Sequence, residues 1–400
     1  MRVLLADKLS DNVITMLTEA GLEVVNAPAL NGPELVAGLK EHAPGILVVR
    51  STKVPEEAIM ASGSLELIVR AGAGYDTIDV QAASQAGVFV ANCPGKNATA
   101  VAELTIGLLL ALDRSIPDNV ADARAGTWNK ALYAKAAGLK GRTLGVIGCG
   151  NIGMEVIERA KALDMHIVAW SRSLTDARAR QLGILRVDSP VDVAARADAV
   201  TLHVAATADT ALLADKEFFG AMRPGAFFIN TTRASVVDEE AMTTAMEDKG
   251  IRVALDVFSD EPSGKEGAFD HPLAHHPGVY LTHHIGASTE QAQEAIAEEA
   301  ARIIVEFNST GEVPNCVNIA EKTPATHQLT VRHLDRVGVL AAVLDAMRIA
   351  HWNIHEMENV VFDGAKAACA YIRFDGSPDP SVADRISALD HVLAVSLIEL

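Results

Sequence analysis

The run Leu144-Gly145-Val146-Ile147-Gly148-Cys149-Gly150-Asn151-Ile152-Gly153 constrains this chain more than any other stretch of it. A G-x-G-x-x-G pattern alone means little. Here it follows an apolar strand, Thr143–Ile147, and opens a helical segment, Met154–Leu163. In that setting the first glycine makes a tight turn, the second lets backbone approach a phosphate, and the third lets helix pack on strand. The free N–H groups at the helix start then present positive potential to an anion. The pattern predicts a dinucleotide-binding βαβ unit with Gly148, Gly150, Asn151, Ile152 and Gly153 around a pyrophosphate.

The surrounding sequence repeats this alternation. Before it come short apolar runs, Val3–Ala6, Leu22–Asn26, Ile46–Arg50, Leu67–Ala71 and Val88–Ala91, and a helix over Ser10–Ala20 with Ser10 as N-cap. After it come His166–Trp170, Ala199–His203, Ala226–Asn230, Arg252–Asp256 and Val279–His283. Strands apolar on both faces and separated by helical patterns indicate parallel, doubly wound sheets. The helix Ala98–Leu112 carries Glu103 as its only charge and should be buried at a domain or subunit interface. The last segment reads strand, helix, strand, strand, helix, strand, from His327–Val331 to Val392–Leu400. The expected fold class is therefore α/β: two doubly wound parallel-sheet (Rossmann/flavodoxin-like) domains, then a C-terminal α+β module of βαββαβ order. The expected domains are 1–97 with 284–315, 98–283, a linker over 316–325, and 326–400.

Composition narrows the partners. A formal net charge of −18 argues against holding nucleic acid or anionic lipid by general electrostatics. It leaves room for a small anionic substrate, because a few placed arginines can make a local positive site. Four scattered cysteines predict reduced thiols and a cytoplasmic protein. No run is apolar for long enough to span a membrane. His271, His275, His276 and His283 fall in a stretch broken by Pro272 and Pro277, which reads as loop, so no metal site is expected.

Two questions remain about the cofactor and the chemistry. An acid is expected about 20 residues beyond the glycines to hold a ribose 2′-hydroxyl. Ser171 and Arg172 stand there instead, a pair that suits a 2′-phosphate, so NADP is possible beside NAD. The strand ends at Asn230–Arg233, Asp256–Pro262 and Thr282–Ser288 carry polar groups, and in open α/β sheets such ends converge on the ligand.

In these residues the chain resembles the D-isomer-specific 2-hydroxyacid dehydrogenases over residues 1–315. The likeness rests on Val69-Arg70-Ala71-Gly72-Ala73-Gly74-Tyr75-Asp76, Asn92-Cys93-Pro94-Gly95, Ala102-Glu103, the glycine fingerprint, and the Arg, Glu and His loops in family order. His283 departs from the family, where proline usually precedes the catalytic histidine. The resemblance implies hydride transfer between a D-2-hydroxy acid and a nicotinamide cofactor. His284 would exchange the hydroxyl proton, Glu261 would orient His284, and Arg233 would hold the substrate carboxylate through two parallel hydrogen bonds. Asp256 would contact the nicotinamide carboxamide, with His203, Thr231 and Gly286 along the cofactor channel. The backbone of Ala73 and Gly74 would share the carboxylate, and Arg50 and Arg70 would take a distal phosphate.

The terminal module, with His333-Leu334-Asp335-Arg336-Val337-Gly338-Val339-Leu340, resembles an ACT domain. That combination implies 3-phospho-D-glycerate as substrate, 3-phosphohydroxypyruvate as product, and a place at the start of serine synthesis. His333, Asp335 and Asn353 would then form a serine effector site in a homodimer or homotetramer. The alternatives are a glyoxylate or hydroxypyruvate reductase, another D-2-hydroxyacid dehydrogenase or, from another class, a nicotinamide-sensing corepressor.

Overall fold

The structure is a computed structural model that describes residues 1–262, 267–320 and 322–400. The chain forms two units, Met1–Asn318 and Ile319–Leu400. Each is described by itself.

The first unit contains two parallel sheets. Strands β1 (Arg2–Leu5), β2 (Glu23–Asn26), β3 (Ile46–Val49), β4 (Leu67–Arg70) and β5 (Phe89–Asn92) form a sheet of order β2-β1-β3-β4-β5. Strands β6 (Thr143–Ile147), β7 (His166–Trp170), β8 (Leu185–Arg186), β9 (Ala199–Leu202), β10 (Phe227–Asn230), β11 (Arg252–Leu255) and β12 (Val279–Leu281) form the second, of order β12-β11-β10-β9-β6-β7-β8. In both, the order reverses beside the first strand, the doubly wound arrangement that the apolar runs predict. Every residue of β3, β9 and β10 is buried, because helices cover both faces of each sheet.

The chain crosses between the sheets twice. After β5 it enters the helix Ala98–Arg114, which packs Ala102, Leu108, Leu109 and Leu112 against the second sheet. After β12 it returns through the helix Glu290–Thr310, whose Ile296, Ala300, Ile303, Ile304 and Phe307 pack under the first sheet. Residues 316–318, assigned above to a linker, are fastened to β5 instead. The Val317 N–H donates to Val90 O (2.8 Å), Asn318 Oδ1 accepts from the Val90 N–H (2.8 Å), and Asn318 Nδ2 donates to Val88 O (2.9 Å). β5 is a sheet edge, and this segment satisfies its outward polar groups. Glu321, also in the expected linker, lies outside the described residues.

The second unit is the expected βαββαβ module. It runs β13 (His327–Leu334), helix Val339–Ile349, β14 (Asn353–Val361), β15 (Ala367–Asp375), helix Pro380–Ser387 and β16 (Val392–Glu399). Its strands are antiparallel in the order β14-β15-β13-β16. Both helices cover one face, where Val343, Met347, Val382 and Ile386 meet Leu329, Val331, Ala370, Ile372 and Phe374. No helix among the described residues is long and apolar enough to cross a membrane.

Candidate active site

The turn after β6 has the geometry its glycines require. Gly148 has φ +97°, and a Cβ there would lie 2.3 Å from the His203 carbonyl oxygen. A Cβ on Gly153 would lie 1.9 Å from Gly148 O, so that helix and strand touch backbone to backbone. At Gly150 a Cβ would meet no atom of the described residues within 4 Å, which leaves the cradle that a pyrophosphate would fill. Gly150 is the N-cap of the helix Asn151–Ala162 and offers no side chain to its first N–H groups, which stay available to an anion. His203 is buried beside this turn, and its Nδ1 has no hydrogen-bond partner among the described residues, while its Nε2 lies 3.0 Å from Thr201 Oγ1. Burial pushes its pKa down to about 3, so the ring is neutral. An open glycine cradle, unspent helix N–H groups and an orphaned buried nitrogen together fit a dinucleotide.

Ser171 and Arg172 follow β7, next to the glycine turn, as the sequence places them. The Arg172 guanidinium is exposed and pairs with Asp209 at 3.4 Å. Thr231 is buried, with its Oγ1 3.2 Å from Thr105 Oγ1 on the crossing helix.

The three catalytic candidates stand at the carboxyl ends of β10, β11 and β12. His284 Nδ1 lies 2.7 Å from Glu261 Oε2, and Glu261 Oε1 accepts the Phe258 N–H at 3.0 Å. A carboxylate accepts only, so Nδ1 carries the proton and Nε2 is left for a substrate. His284 has φ +51°, a left-handed conformation that a residue with a Cβ rarely adopts. Asp256 holds that turn. Its Oδ1 accepts from Thr282 Oγ1 (2.6 Å) and the Ile285 N–H (2.9 Å), and its Oδ2 accepts from the Gly286 N–H (2.8 Å). The side chain assigned above to the nicotinamide carboxamide is therefore spent largely on shaping the histidine loop, and Gly286 takes part through its N–H.

The anion-binding candidates come from the first sheet and meet the second. Arg50 directly follows β3 and Arg70 ends β4. The Arg70 guanidinium is mostly buried, makes no ion pair among the described residues, and leaves its Nε without a partner. Burial lowers its pKa, and the neighbouring Arg233 and Arg50 charges lower it further. The Asp76 carboxylate offsets part of this like-charge crowding. Arg233 is engaged: its Nε and Nη2 donate to Asp76 Oδ2 (3.2 Å) and Oδ1 (3.0 Å), and its Nη1 to Thr232 O (2.8 Å).

Sequence reading missed three supporting residues. Asp7, two residues past β1, accepts the N–H groups of Arg50 (2.6 Å), Ser51 (3.1 Å) and Thr52 (3.0 Å), which fixes the Arg50 loop. Burial alone would raise its carboxyl, but these hydrogen bonds outweigh it and hold it below the usual range. Asn230 accepts from the Thr232 N–H (2.9 Å) and donates to Arg233 O (2.9 Å), setting the arginine loop. Asp76 is the third. A polar residue directly after a buried strand was the available signal for Asp7, while Asn230 and Asp76 already stood inside the quoted motifs.

The C-terminal trio is not assembled within one chain. His333 is buried, with Nδ1 2.8 Å from Leu334 O and Nε2 3.1 Å from Asn359 Oδ1, so both ring nitrogens are occupied. His333 pairs with Ala368 and Asn353 with Asp375, seven residues further along β15. At strand rise this is roughly 24 Å along β15, with which β13 and β14 both pair antiparallel. Asp335 stays with His333 at the far end. Among the described residues no group of three or more His, Cys, Asp or Glu side chains could hold a metal ion.

Comparison with known proteins gives the chain's relatives. Residues 106–286 match the pattern of the D-isomer specific 2-hydroxyacid dehydrogenase, NAD binding domain. D-3-phosphoglycerate dehydrogenase of Methanocaldococcus jannaschii is 38% identical over 327 residues, 80% of this chain and 61% of that protein. The chain spans 61% to 64% of the length of this and similar curated relatives. Among solved structures, the TT0316 protein of Thermus thermophilus superposes with a TM-score of 0.70 at 32% identity, covering 79% of this chain and all (100%) of that one. The NAD+-bound 3-phosphoglycerate dehydrogenase of Entamoeba histolytica gives 0.66 at 27% identity, covering 80% of this chain and 99% of that one. The chain belongs to the family of D-isomer-specific 2-hydroxyacid dehydrogenases.

Proposed function

We propose that this chain oxidises 3-phospho-D-glycerate to 3-phosphohydroxypyruvate with a nicotinamide dinucleotide. The observation that carries the reading is Arg70: a mostly buried guanidinium beside Arg50 and Arg233, with no ion pair among the described residues and its Nε without a hydrogen-bond partner there. A substrate with a carboxylate alone needs one arginine. A substrate with a phosphate at its other end gives Arg50 and Arg70 a use.

In this mechanism Nε2 of His284 takes the C2 hydroxyl proton as the C2 hydride leaves, and Glu261 keeps the ring aligned through Nδ1. Arg233 and the N–H groups of Ala73 and Gly74 hold the carboxylate, and Arg50 and Arg70 hold the phosphate. The glycine turn at Gly148, Gly150 and Gly153, with Asn151 and Ile152, binds the pyrophosphate, and His203, Thr231 and Gly286 line the channel. The nicotinamide, when bound, accepts the hydride. Arg172 in place of an acid supports use of NADP as well as NAD, since no carboxylate there repels a 2′-phosphate.

The assembly reading is a cytoplasmic homodimer or homotetramer. Ile116, Val120, Trp128 and Leu132 stand exposed along a stretch with no buried residue, which supports self-association there. The second unit acts as a regulatory ACT domain. Because Asn353 is far from His333 and Asp335 within a chain, its serine site draws on two copies.

A steady-state assay tests the reading, with 3-phosphoglycerate, D-glycerate, glyoxylate and hydroxypyruvate, with NAD(H) and NADP(H), and with and without serine. The expected result is kcat/KM for phosphoglycerate at least about 100-fold above that for D-glycerate, the scale of two charge-assisted contacts. Equal values, with faster reduction of glyoxylate, would identify a glyoxylate or hydroxypyruvate reductase instead.

A further inference from the structure

Arg233 donates two parallel hydrogen bonds to Asp76, the fork geometry a substrate carboxylate would need from it. The pair also stands where that carboxylate would lie. A Cβ on Gly74 would be 2.4 Å from Arg233 Nη2 and 3.0 Å from Asp76 Oδ1, so both groups sit directly on the Gly74 backbone. Among the described residues the N–H groups of Ala73 and Gly74 make no hydrogen bond. Asp76 itself is half exposed, and among the described residues Arg233 is its only ion-pair partner. The Arg233 hydrogen bonds hold its carboxyl below the usual range, so it is charged at neutral pH.

We propose that Asp76 is an internal stand-in for the substrate: its carboxylate occupies the Arg233 fork and must be displaced before a substrate carboxylate can bind. The inference rests on the substrate reading above and adds an affinity-setting residue to it. Asp76 keeps Arg233 extended across the cleft between the two sheets. On binding, one carboxylate replaces another, so the gain at Arg233 is small and the same for every 2-hydroxy acid. Net affinity then comes from what the substrate brings to Arg50 and Arg70. An anion that meets Arg233 alone binds weakly, because the displacement offsets most of its gain.

The test is calorimetric titration of the NADH-loaded protein with oxamate, a short carboxylate with no distal charge. Asp76→Asn removes the competing charge and keeps the side chain's shape, and Asp76→Ser removes both. Both variants should bind oxamate about fivefold more tightly than wild type, since the binding-competent state is no longer a minority. KM for the oxidised substrate should fall by the same factor, with kcat within about twofold. Equal or weaker oxamate binding in both variants means Asp76 only props Arg233, and overturns the proposal. Absence of oxamate binding in all three proteins overturns it too, because the fork would then not be a carboxylate site. Melting curves confirm that the variants fold. If wild type fails to oxidise phosphoglycerate, the substrate reading falls while the oxamate comparison still decides the role of Asp76.

Discussion

Nδ1 of His284 lies 2.7 Å from Oε2 of Glu261, and the other Glu261 oxygen is held by the Phe258 N–H. The carboxylate therefore cannot turn away without losing a backbone bond, and the imidazole can offer only Nε2 to the cleft. Replacing His284 by Asn should lower kcat by about 10²- to 10⁴-fold, the usual size of a general acid–base contribution. NADH affinity should be unchanged, because the ring does not build the dinucleotide turn. Glu261→Gln should lower kcat less, since the amide can still orient the ring. Rapid-mixing kinetics and a fluorescence titration of NADH separate the two quantities. Wild-type turnover in His284→Asn would remove the histidine from the chemistry.

The fingerprint glycines should fail in different ways. Gly150→Ala places a methyl in open space at φ −77°, a conformation alanine accepts. Its melting temperature should match wild type while NADH binding weakens at least about tenfold, because the methyl takes the phosphate's room. Gly153→Ala puts a methyl 1.9 Å from Gly148 O. It should lose about 2 kcal/mol or more of stability, as overpacked interiors do. Thermal melting without cofactor gives one answer and an NADH titration the other.

Arg70→Met tests the distal anion site. The substitution keeps the buried stem and deletes the charge. It should raise KM for phosphoglycerate about tenfold or more, the loss of one charge-assisted contact, and leave KM for D-glycerate alone. Because Arg70 is crowded by Arg50 and Arg233, the empty protein should become slightly more heat-stable. Identical KM values for phosphoglycerate in both proteins would place the phosphate elsewhere.

Glu299 gives a pH prediction. It is buried on the returning helix, where it accepts from Arg302 Nη2 and Asn315 Nδ2 and pairs with Lys96 at 3.3 Å. The Arg302 hydrogen bonds foremost, opposed by burial and aided by Asn315 and Lys96, hold its pKa at about 2 against an ordinary 4.5. A depressed carboxylate stabilises the fold fully above its unfolded value and loses that contribution as pH falls. The difference in melting temperature between wild type and Glu299→Gln should therefore be constant above about pH 5 and shrink between 4.5 and 2. A difference independent of pH would show that the carboxylate's charge is not what matters there.

The sheets were legible because burial on both faces leaves a continuous apolar run, as in Ile46–Val49 and Phe227–Asn230. β8 escaped notice because two residues cannot show a pattern. Ser10 stands at the N-cap position read from the sequence, yet its side chain makes no capping bond. Sequence motifs also located the Arg, Glu and His loops. They could not show that Arg233 meets Asp76, 157 positions away, or that Asp7 fastens a loop 43 positions on. Such partners are chosen by sheet order, which local sequence does not encode. The same limit separated Asn353 from His333: both looked like one site until the strand register put them at opposite ends of β15.

Arg70 and its neighbours have a consequence for the protein's lifetime as well as for its chemistry. The buried Arg70 guanidinium stands beside the Arg233 and Arg50 charges with Asp76 offsetting only part of them, so a well-placed anion would stabilise the fold. Binding to the folded state alone shifts unfolding by RT ln(1 + [L]/Kd). The melting temperature of this chain should therefore follow the concentration of phosphorylated acids around it. Under the proposed function, scarcity of those acids would leave the protein at its most perishable and would couple its turnover to the supply of its substrate.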